Sequence, residues 1–278
     1  MTRPEIGARL DHLLVASPEP GRGAASVAQL LNVGVEPCGD MLACGGPRAA
    51  VLFHEGSKNT LSVIAFSFET VAELERFRAR LLREGAAIRP NCSPVFADDA
   101  FCVADPGGVL VAFGHRDRRA DSAGDGPAAR LQHVGVRTLD IEPMRDFYEK
   151  VLHFVISDKV EDDDGVQRAA FLRTDAEHHT LALFLAPEAR LDHLSFDTPD
   201  RRAICDWADR VTARRIPLFW GLGRHGPGND LFFMVKDADE NLVEFSTELE
   251  ICEPDRPVGN WAYTNWTMNL WGQAFMRS

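Results

Sequence analysis

The chain has 278 residues, 45% of them hydrophobic and 26% charged, a composition typical of a globular protein large enough for two modest domains. Its formal net charge of -12 comes from scattered acidic residues, which argues against a nucleic acid partner because phosphate backbones repel acidic surfaces. No apolar run approaches the ~20 residues that cross a bilayer, and the N-terminus MTRPEIGARL lacks the apolar stretch of a signal peptide. We therefore expect a cytoplasmic protein that binds neither membranes nor nucleic acid.

The chain contains an internal duplication. The segment LDHLLV near the start resembles LQHVGV in the middle, which sets His12 against His133. Likewise AFSFETVAELERFRARLLREGAAI matches HLSFDTPDRRAICDWADRVTARRIPL, and FCVADPGGVLVAF matches FFMVKDADENLVEF. Matches of this kind predict two similar modules in tandem, each with strands and two helices in the same order.

The segment between the two copies, HRDRRADSAGDGPAARLQ, predicts a linker. It is rich in charge, glycine and alanine, and it has no apolar periodicity. We predict an N-terminal module over residues 1–116, a linker over 117–130, and a C-terminal module with a trailing tail over 131–278.

Apolar spacing predicts a helix in each half, directly after the segment AFSF in the first half and HLSF in the second. In the first half, one face of this helix carries Leu74, Phe77 and Leu81. In the second half we expect the helix to start near Asp197 or Thr198, with Pro199 close behind. Its apolar face carries Ile204, Trp207, Ala208 and Val211.

A further amphipathic helix is predicted early in the second half, in the segment IEPMRDFYEKVLHF. Pro143 suits its first turn, since proline is tolerated where no backbone hydrogen bond is lost. The apolar positions at i, i+3, i+4 and i+7 are Met144, Phe147, Tyr148 and Val151.

Three predicted strands of the second half, LQHVGV, LDHLSF and LVEFSTE, each carry one candidate metal ligand: His133, His193 and Glu244. Side chains alternate between the faces of a strand, so each ligand lies opposite an apolar face that can pack on helices. Two imidazoles and one carboxylate occupy three positions of an octahedron and leave the others open. This arrangement suits ferrous iron that must hold substrate and dioxygen at once.

The first half provides an internal control, because it shares the scaffold and differs in chemistry. It has His12, Phe66 and Ala112 at the three corresponding positions, so only the second half can bind a metal in this way. We interpret His12 as a core or interface histidine. Each candidate ligand taken singly also has a structural explanation, and Glu244 could pair with an arginine; their coincidence at corresponding strand positions favours a metal site.

On these residues the chain resembles the type I extradiol ring-cleavage dioxygenases of the vicinal oxygen chelate superfamily, over essentially its whole length. The most specific segment is GRHGPGNDLFFMVKDADENLVEFSTE, where His225 precedes Glu244 by the family's spacing. The resemblance implies an α+β fold of two tandem modules, built from βαβββ repeats that form curved mixed sheets. It also implies the ligands His133, His193 and Glu244, and a first module without a metal site.

The resemblance implies roles for residues around the ligands as well. The segment FLRTDAEHHTLAL is similar to the one that carries a catalytic histidine, for which His179 is the better match and His178 the alternative; His178 is then expected in the substrate pocket. Phe171 matches a substrate-pocket aromatic residue, and His225 matches a second catalytic histidine. Met234 stands at the pocket position where the family has a tyrosine, so a hydrogen-bond donor is missing there.

The implied activity is cleavage of a catechol ring next to its diol with O2, using Fe²⁺ or, in some family members, Mn²⁺. The resemblance also implies a homo-oligomer. Two alternatives remain at this point: a metal-dependent lyase, isomerase or hydrolase on the same scaffold, and a non-enzymatic small-molecule-binding protein.

Overall fold

Two mixed β-sheets form the protein in this computed structural model, which describes residues 5–45, 51–116 and 129–277. The first sheet has eight strands: β1 (Arg9–Ser17), β2 (Val35–Cys38), β3 (Met41–Cys44), β4 (Val51–Glu55), β5 (Thr60–Phe68), β6 (Arg89–Pro90), β7 (Phe101–Ala104) and β8 (Leu110–His115). The second has nine: β9 (Arg130–Thr138), β10 (Val155–Glu161), β11 (Gln167–Arg173), β12 (Leu181–Leu185), β13 (Arg190–Asp197), β14 (Trp220–Arg224), β15 (Leu231–Lys236), β16 (Leu242–Thr247) and β17 (Gly259–Ala262).

The helices are few and mostly short. They are α1 (Pro20–Leu31), α2 (Val71–Arg83), α3 (Ile141–Asp146), a π-helical turn (Phe147–Val151), α4 (Arg201–Ala213) and α5 (Asn265–Met268). The predicted α+β class with two modules of mixed sheet is thereby confirmed.

The two sheets repeat one pattern of strand pairing. In the first, β1 pairs antiparallel with β5 and parallel with β4, and β5 pairs parallel with β8. In the second, β9 pairs antiparallel with β13 and parallel with β12, and β13 pairs parallel with β16. This agreement explains why the ligand positions of the second half have counterparts in the first.

Large aromatic side chains join the two halves in one continuous core. The strand register corrects one expected counterpart: Leu14 lies opposite Val63 as Gly135 lies opposite His193, so Val63 and not Phe66 corresponds to His193. Phe66 packs edge to face on Phe154 of the second half with ring centroids 5.2 Å apart. The Tyr148 hydroxyl donates a hydrogen bond of 3.0 Å to Asp105 of the first half. The core between the halves is thus built from residues of both, while the position of His193 carries the apolar Val63 in the first half.

Two helix predictions need correction in detail. The helix around Met144 is present, but its last part widens to a π-helical turn over Phe147–Val151. The helix expected to start near Asp197 or Thr198 begins at Arg201 instead. The reason is local: the Asp200 side chain accepts a hydrogen bond from the Ala203 backbone and caps the helix there.

The predicted linker falls almost entirely on residues 117–128, which lie outside the described residues, so the proposed module bounds stay a prediction. Among the described residues, no helix is long and apolar enough to cross a membrane.

The fold is expected to depend strongly on Trp207 of α4, which is fully buried and stacks on Phe245 of β16 with centroids 4.8 Å apart. Trp207→Ala should lower the free energy of unfolding by about 3–5 kcal/mol, because it leaves a cavity under the strand that carries Glu244. Chemical denaturation with far-UV circular dichroism measures this loss. Leu82→Ala on α2, where the leucine is largely exposed, is the control and should change stability by less than about 0.5 kcal/mol; equal losses in both variants would contradict the assignment of the core.

Candidate metal centre

Three neighbouring strands bring His133, His193 and Glu244 to one point. Ser195 of β13 lies opposite His133 of β9 on one side and opposite Glu244 of β16 on the other. Cross-strand partners share a face of the sheet, and His193 shares that face with Ser195 because the two are two residues apart. The strand register alone therefore turns all three candidate ligands the same way.

The donor atoms are close enough to share one ion. The Nε2 atom of His133 lies 3.1 Å from Nε2 of His193 and 3.3 Å from Oε1 of Glu244, and one donor atom from each residue lies within 4.8 Å of the others. Two ligand atoms each ~2.1 Å from one metal and at a right angle to each other lie ~3.0 Å apart. The observed spacing matches adjacent positions of a coordination sphere.

The hydrogen bonds behind both imidazoles leave their facing nitrogens as acceptors. The Gln132 amide donates to the His179 carbonyl, so its oxygen accepts from Nδ1 of His133 at 2.6 Å. Nδ1 of His193 donates to the Asp192 carboxylate at 2.6 Å. A neutral imidazole carries one N–H, so both Nε2 atoms present lone pairs to each other.

Such a grouping of acceptors needs a cation. Two imidazole lone pairs and a carboxylate oxygen meet in a space where all three side chains are buried, and none supplies a hydrogen to the others. Oε1 of Glu244 accepts from Ser195 at 2.7 Å, whereas Oε2 has no hydrogen-bond partner among the described residues. Buried acceptors of this kind are costly unless an ion or donor satisfies them, so the donor set fits a divalent metal.

The protonation states of His133 and Glu244 also favour metal binding. Burial, which is the main effect, lowers the pKa of His133 below its ordinary value despite the contact with Glu244, and so favours the neutral ligand form. For Glu244, burial alone would raise the pKa, but His133 and His225 hold it well below the usual range. A neutral imidazole and an ionised carboxylate are the forms that bind a metal.

A buried ion-pair cluster holds His193 in place from behind. Asp192 accepts from Arg137 at 2.6 Å and from two nitrogens of Arg277 at 2.8 and 2.7 Å. Burial alone would raise the pKa of Asp192, but Arg277 and His193 hold it well below its usual range. The charged Asp192 thereby fixes which nitrogen of His193 carries the hydrogen.

Gly135 leaves room for the His193 ring. A Cβ atom at Gly135 would overlap the His193 imidazole, so any side chain at this strand position would displace the ligand. The requirement is steric, and it explains a glycine inside a central strand.

A narrow cavity opens beside the three candidate ligands. His179 lines it with its ring 4.3 Å from that of His133, and His225 stacks on Phe232 at 3.8 Å. The remaining lining residues are Phe171, Ala182, Phe184, Pro227, Met268 and Arg277. The structure therefore brings His179, His225 and Phe171, all predicted from the sequence, to one cavity next to the candidate metal.

The pKa values of the two cavity histidines shift in opposite directions. Burial, with help from His133 and His178, lowers the pKa of His179 well below its ordinary value. For His225, burial alone would lower the pKa, but Asp230 and Glu244 outweigh it and raise the pKa. The two rings thus differ in how readily each takes up a proton, as acid and base partners in one site often do.

Two residues expected in the substrate pocket are buried next to the cavity without lining it. Met234 is fully buried, faces Glu244 across the strand pair, and packs in the cluster that contains Trp220 and Phe232. His178 is also fully buried, with its ring against His179. Neither is among the residues that line the cavity, so their contact with substrate stays a prediction.

Sequence reasoning missed the residues that support the ligands. Gln132 and Asp192 each directly precede a ligand histidine, and this repeated pattern of a polar residue before histidine was a readable signal. Arg277 gave no such signal, because it lies 33 residues beyond Glu244 and reaches Asp192 only through the path of the tail.

Comparisons with known proteins agree with this arrangement. Residues 130–245 match the family model of the Glyoxalase/Bleomycin resistance protein/Dioxygenase superfamily. Metapyrocatechase 2 of Cupriavidus necator is 25% identical over 251 residues, which cover 81% of this chain and 76% of that protein. Metapyrocatechase of Pseudomonas sp. (strain CF600) is 26% identical over 119 residues, 42% of this chain and 39% of that protein.

Solved structures share the fold over nearly the whole chain. Homoprotocatechuate 2,3-dioxygenase from Arthrobacter globiformis superposes with a TM-score of 0.79 at 22% identity, covering 98% of this chain and 90% of that one. The anaerobic complex of the Brevibacterium fuscum enzyme with 3,4-dihydroxyphenylacetate gives 0.80 at 22% identity, covering 99% and 92%. The resemblance to extradiol dioxygenases predicted from the sequence is confirmed.

Removing one ligand should abolish metal binding. We expect the wild-type chain to take up about one Fe²⁺ or Mn²⁺ per chain, and Glu244→Ala and His193→Ala to take up almost none, because two donors remain. Elemental analysis after reconstitution gives the ratio, and bound metal should raise the melting temperature of the wild type only.

His54→Ala is the control for this test. His54 lies on β4 of the first half, where it bonds Ser62, and it should leave metal content unchanged. Full metal occupancy in both ligand variants would show that the ion binds elsewhere.

Proposed function

We propose that the protein is a non-haem Fe²⁺-dependent extradiol dioxygenase, which uses O2 to cleave the ring of a catechol-type substrate next to its two hydroxyl groups. The observation that carries the proposal is the buried set of two imidazoles and one carboxylate beside a cavity that holds two further histidines. Relatives named metapyrocatechase and homoprotocatechuate 2,3-dioxygenase support ring cleavage of a catechol. Mn²⁺ is the alternative ion, since the same donors accept it.

The residues His133, His193 and Glu244 would hold the metal. A bound ferrous ion would supply coordination for the diol and for O2. Three protein ligands on one face leave those positions open.

Apolar side chains of the cavity would hold the substrate ring. Phe171 and Phe184 stand edge to face with centroids 6.1 Å apart, and Ala182 and Met268 complete this side of the cavity. Such walls favour a flat aromatic ring and exclude bulk water, which strengthens every polar contact within the site. They support an aromatic diol rather than a flexible polar substrate.

The two cavity histidines would manage protons and hydrogen bonds. His179 is neutral because of its lowered pKa, so one of its ring nitrogens would accept a hydrogen bond from a diol hydroxyl. His225 donates from Nδ1 to the Met268 carbonyl at 2.6 Å, which directs its other nitrogen to the region of Glu244, 3.6 Å away. From there His225 would hydrogen-bond a substrate oxygen.

We also propose that the protein acts in the cytoplasm as a homo-oligomer. The tail supports the second point, because Trp266 is 68% exposed and Trp271 is 55% exposed, and large aromatic residues at a surface commonly mark contacts between proteins.

Oxygen dependence tests the proposed reaction. Ferrous-reconstituted protein mixed with catechol, methylcatechols, dihydroxybiphenyl, dihydroxynaphthalene or homoprotocatechuate should give no product without air. On admitting air, at least one mixture should turn yellow as a muconic semialdehyde-type product forms, which absorbance spectroscopy follows. Metal-free protein is the control. Product formed without oxygen would contradict the proposal and favour a lyase, isomerase or hydrolase.

Loss of the His179 ring nitrogen should separate metal binding from catalysis. His179→Phe keeps an aromatic ring against Phe171, so metal content should stay at the wild-type level. Turnover should fall by about 100-fold or more, the usual contribution of a positioned acid or base. Steady-state kinetics with elemental analysis of the same samples checks both values. Unchanged turnover would remove His179 from the mechanism.

A further inference from the structure

A chain of buried polar side chains runs from the C-terminal tail to the cavity. It starts at Arg256 and Trp261, both of which donate to Asp158, and continues through His178 to His179. Asp158, His178 and His179 are all buried, and none of the steps proposed above uses Asp158 or His178.

The tail fixes Asp158 as an acceptor. Arg256 Nη1 donates to Oδ1 at 3.0 Å and Trp261 Nε1 donates to Oδ2 at 2.8 Å. The neighbouring Gly259 pairs with Asp158 in the sheet, and a Cβ atom there would collide with the carboxylate. Burial alone would raise the pKa of Asp158, but His178 and Arg256 lower it, so the group is a charged carboxylate that can only accept hydrogen bonds.

The charged Asp158 determines where His178 carries its hydrogen. Nε2 of His178 lies 3.1 Å from Oδ2 of Asp158, an ion-pair contact that does not meet the criteria of a hydrogen bond, so a lone pair on Nε2 would face the negative carboxylate. Since the carboxylate cannot donate, the hydrogen is on Nε2. In a neutral ring the Nδ1 atom is then an acceptor. The His178 backbone N–H donates to the Glu250 carbonyl at 2.9 Å, and a Cβ atom at Gly228 would lie 3.0 Å from Nδ1 of His178, so the ring is closely surrounded.

The tautomer of His178 in turn determines the tautomer of His179. Nδ1 of His178 lies 3.0 Å from Nδ1 of His179, and a bond between two nitrogens needs one hydrogen between them. With His178 as acceptor, the hydrogen belongs to Nδ1 of His179, and Nε2 of His179 is left as the free acceptor of a ring that lines the cavity.

We propose that His178 is a positioning residue: held by Asp158 and the tail, it fixes the tautomer of His179 with hydrogen on Nδ1 and the acceptor on Nε2. The consequence for catalysis rests on the proposed function, in which the acceptor would receive a hydrogen from a diol hydroxyl. The tail thereby acts on the site from a distance, through Arg256 and Trp261.

The tautomer is measured directly by nitrogen-15 NMR. The full-length chain, labelled in its nine histidines and loaded with diamagnetic Zn²⁺, gives separate shifts for protonated and unprotonated ring nitrogens. Comparison with His179→Phe assigns the His179 signals. We expect hydrogen on Nδ1 of His179 in the wild type, and hydrogen on Nε2 instead would overturn the proposal.

Two substitutions separate positioning from packing. In His178→Asn the amide oxygen replaces the Nδ1 acceptor, so the His179 tautomer should be retained. In His178→Leu no acceptor remains, and the Nδ1–H form should lose its dominance. His54→Leu, in the first half, is the matched control and should leave the spectrum of His179 unchanged. A His179 tautomer that stays fixed in His178→Leu would refute a positioning role.

Steady-state kinetics is a second test of the positioning role of His178. With a substrate found, His178→Leu should lower kcat by about 10- to 100-fold at unchanged metal content, and His178→Asn should restore most of it. Equal losses in both variants would contradict the proposal. The NMR result does not depend on turnover, so a failure of the proposed function and a failure of this inference remain distinguishable.

Discussion

The structure depends on a concentration of hydrogen-bond acceptors with no hydrogen between them. Two imidazole nitrogens 3.1 Å apart and a carboxylate oxygen 3.3 Å from one of them face each other in the protein interior. Gln132 and Asp192 take the hydrogens on the far side of each ring, so the near side presents lone pairs only. This arrangement is unfavourable by itself and becomes favourable around a divalent cation, because all three acceptor atoms can bind the ion at once.

The duplicated scaffold explains how such a site arises on one half of the chain and not on the other. Both sheets place three strand positions together by the same pairing of antiparallel and parallel neighbours. In the first half His12 bonds Asp11 and Ser93, and Phe96 packs on its ring, so the equivalent space is filled. One fold therefore supports packing in one module and a cavity in the other.

The internal repeat and the alternation of side chains along strands were enough to predict the two modules and the three candidate metal ligands. His133, His193 and Glu244 stood at corresponding positions of strands, and period-two alternation placed them on one face. The start of α4 was misplaced, because the choice of Asp200 over its neighbours as the cap depends on local backbone geometry. His178 and Met234 were expected in the substrate pocket from the family resemblance, and since neither lines the cavity, that expectation stays a prediction. Arg277 was missed since a contact across 85 residues leaves no periodic pattern.

Crystallography at the absorption edge of the bound metal tests the central claim most directly. Crystals of the chain reconstituted anaerobically with Fe²⁺ should give an anomalous difference peak among Nε2 of His133, Nε2 of His193 and the Glu244 carboxylate, at ~2.0–2.2 Å from each. A strong peak elsewhere, with these three side chains left around an empty or water-filled space, would contradict the account.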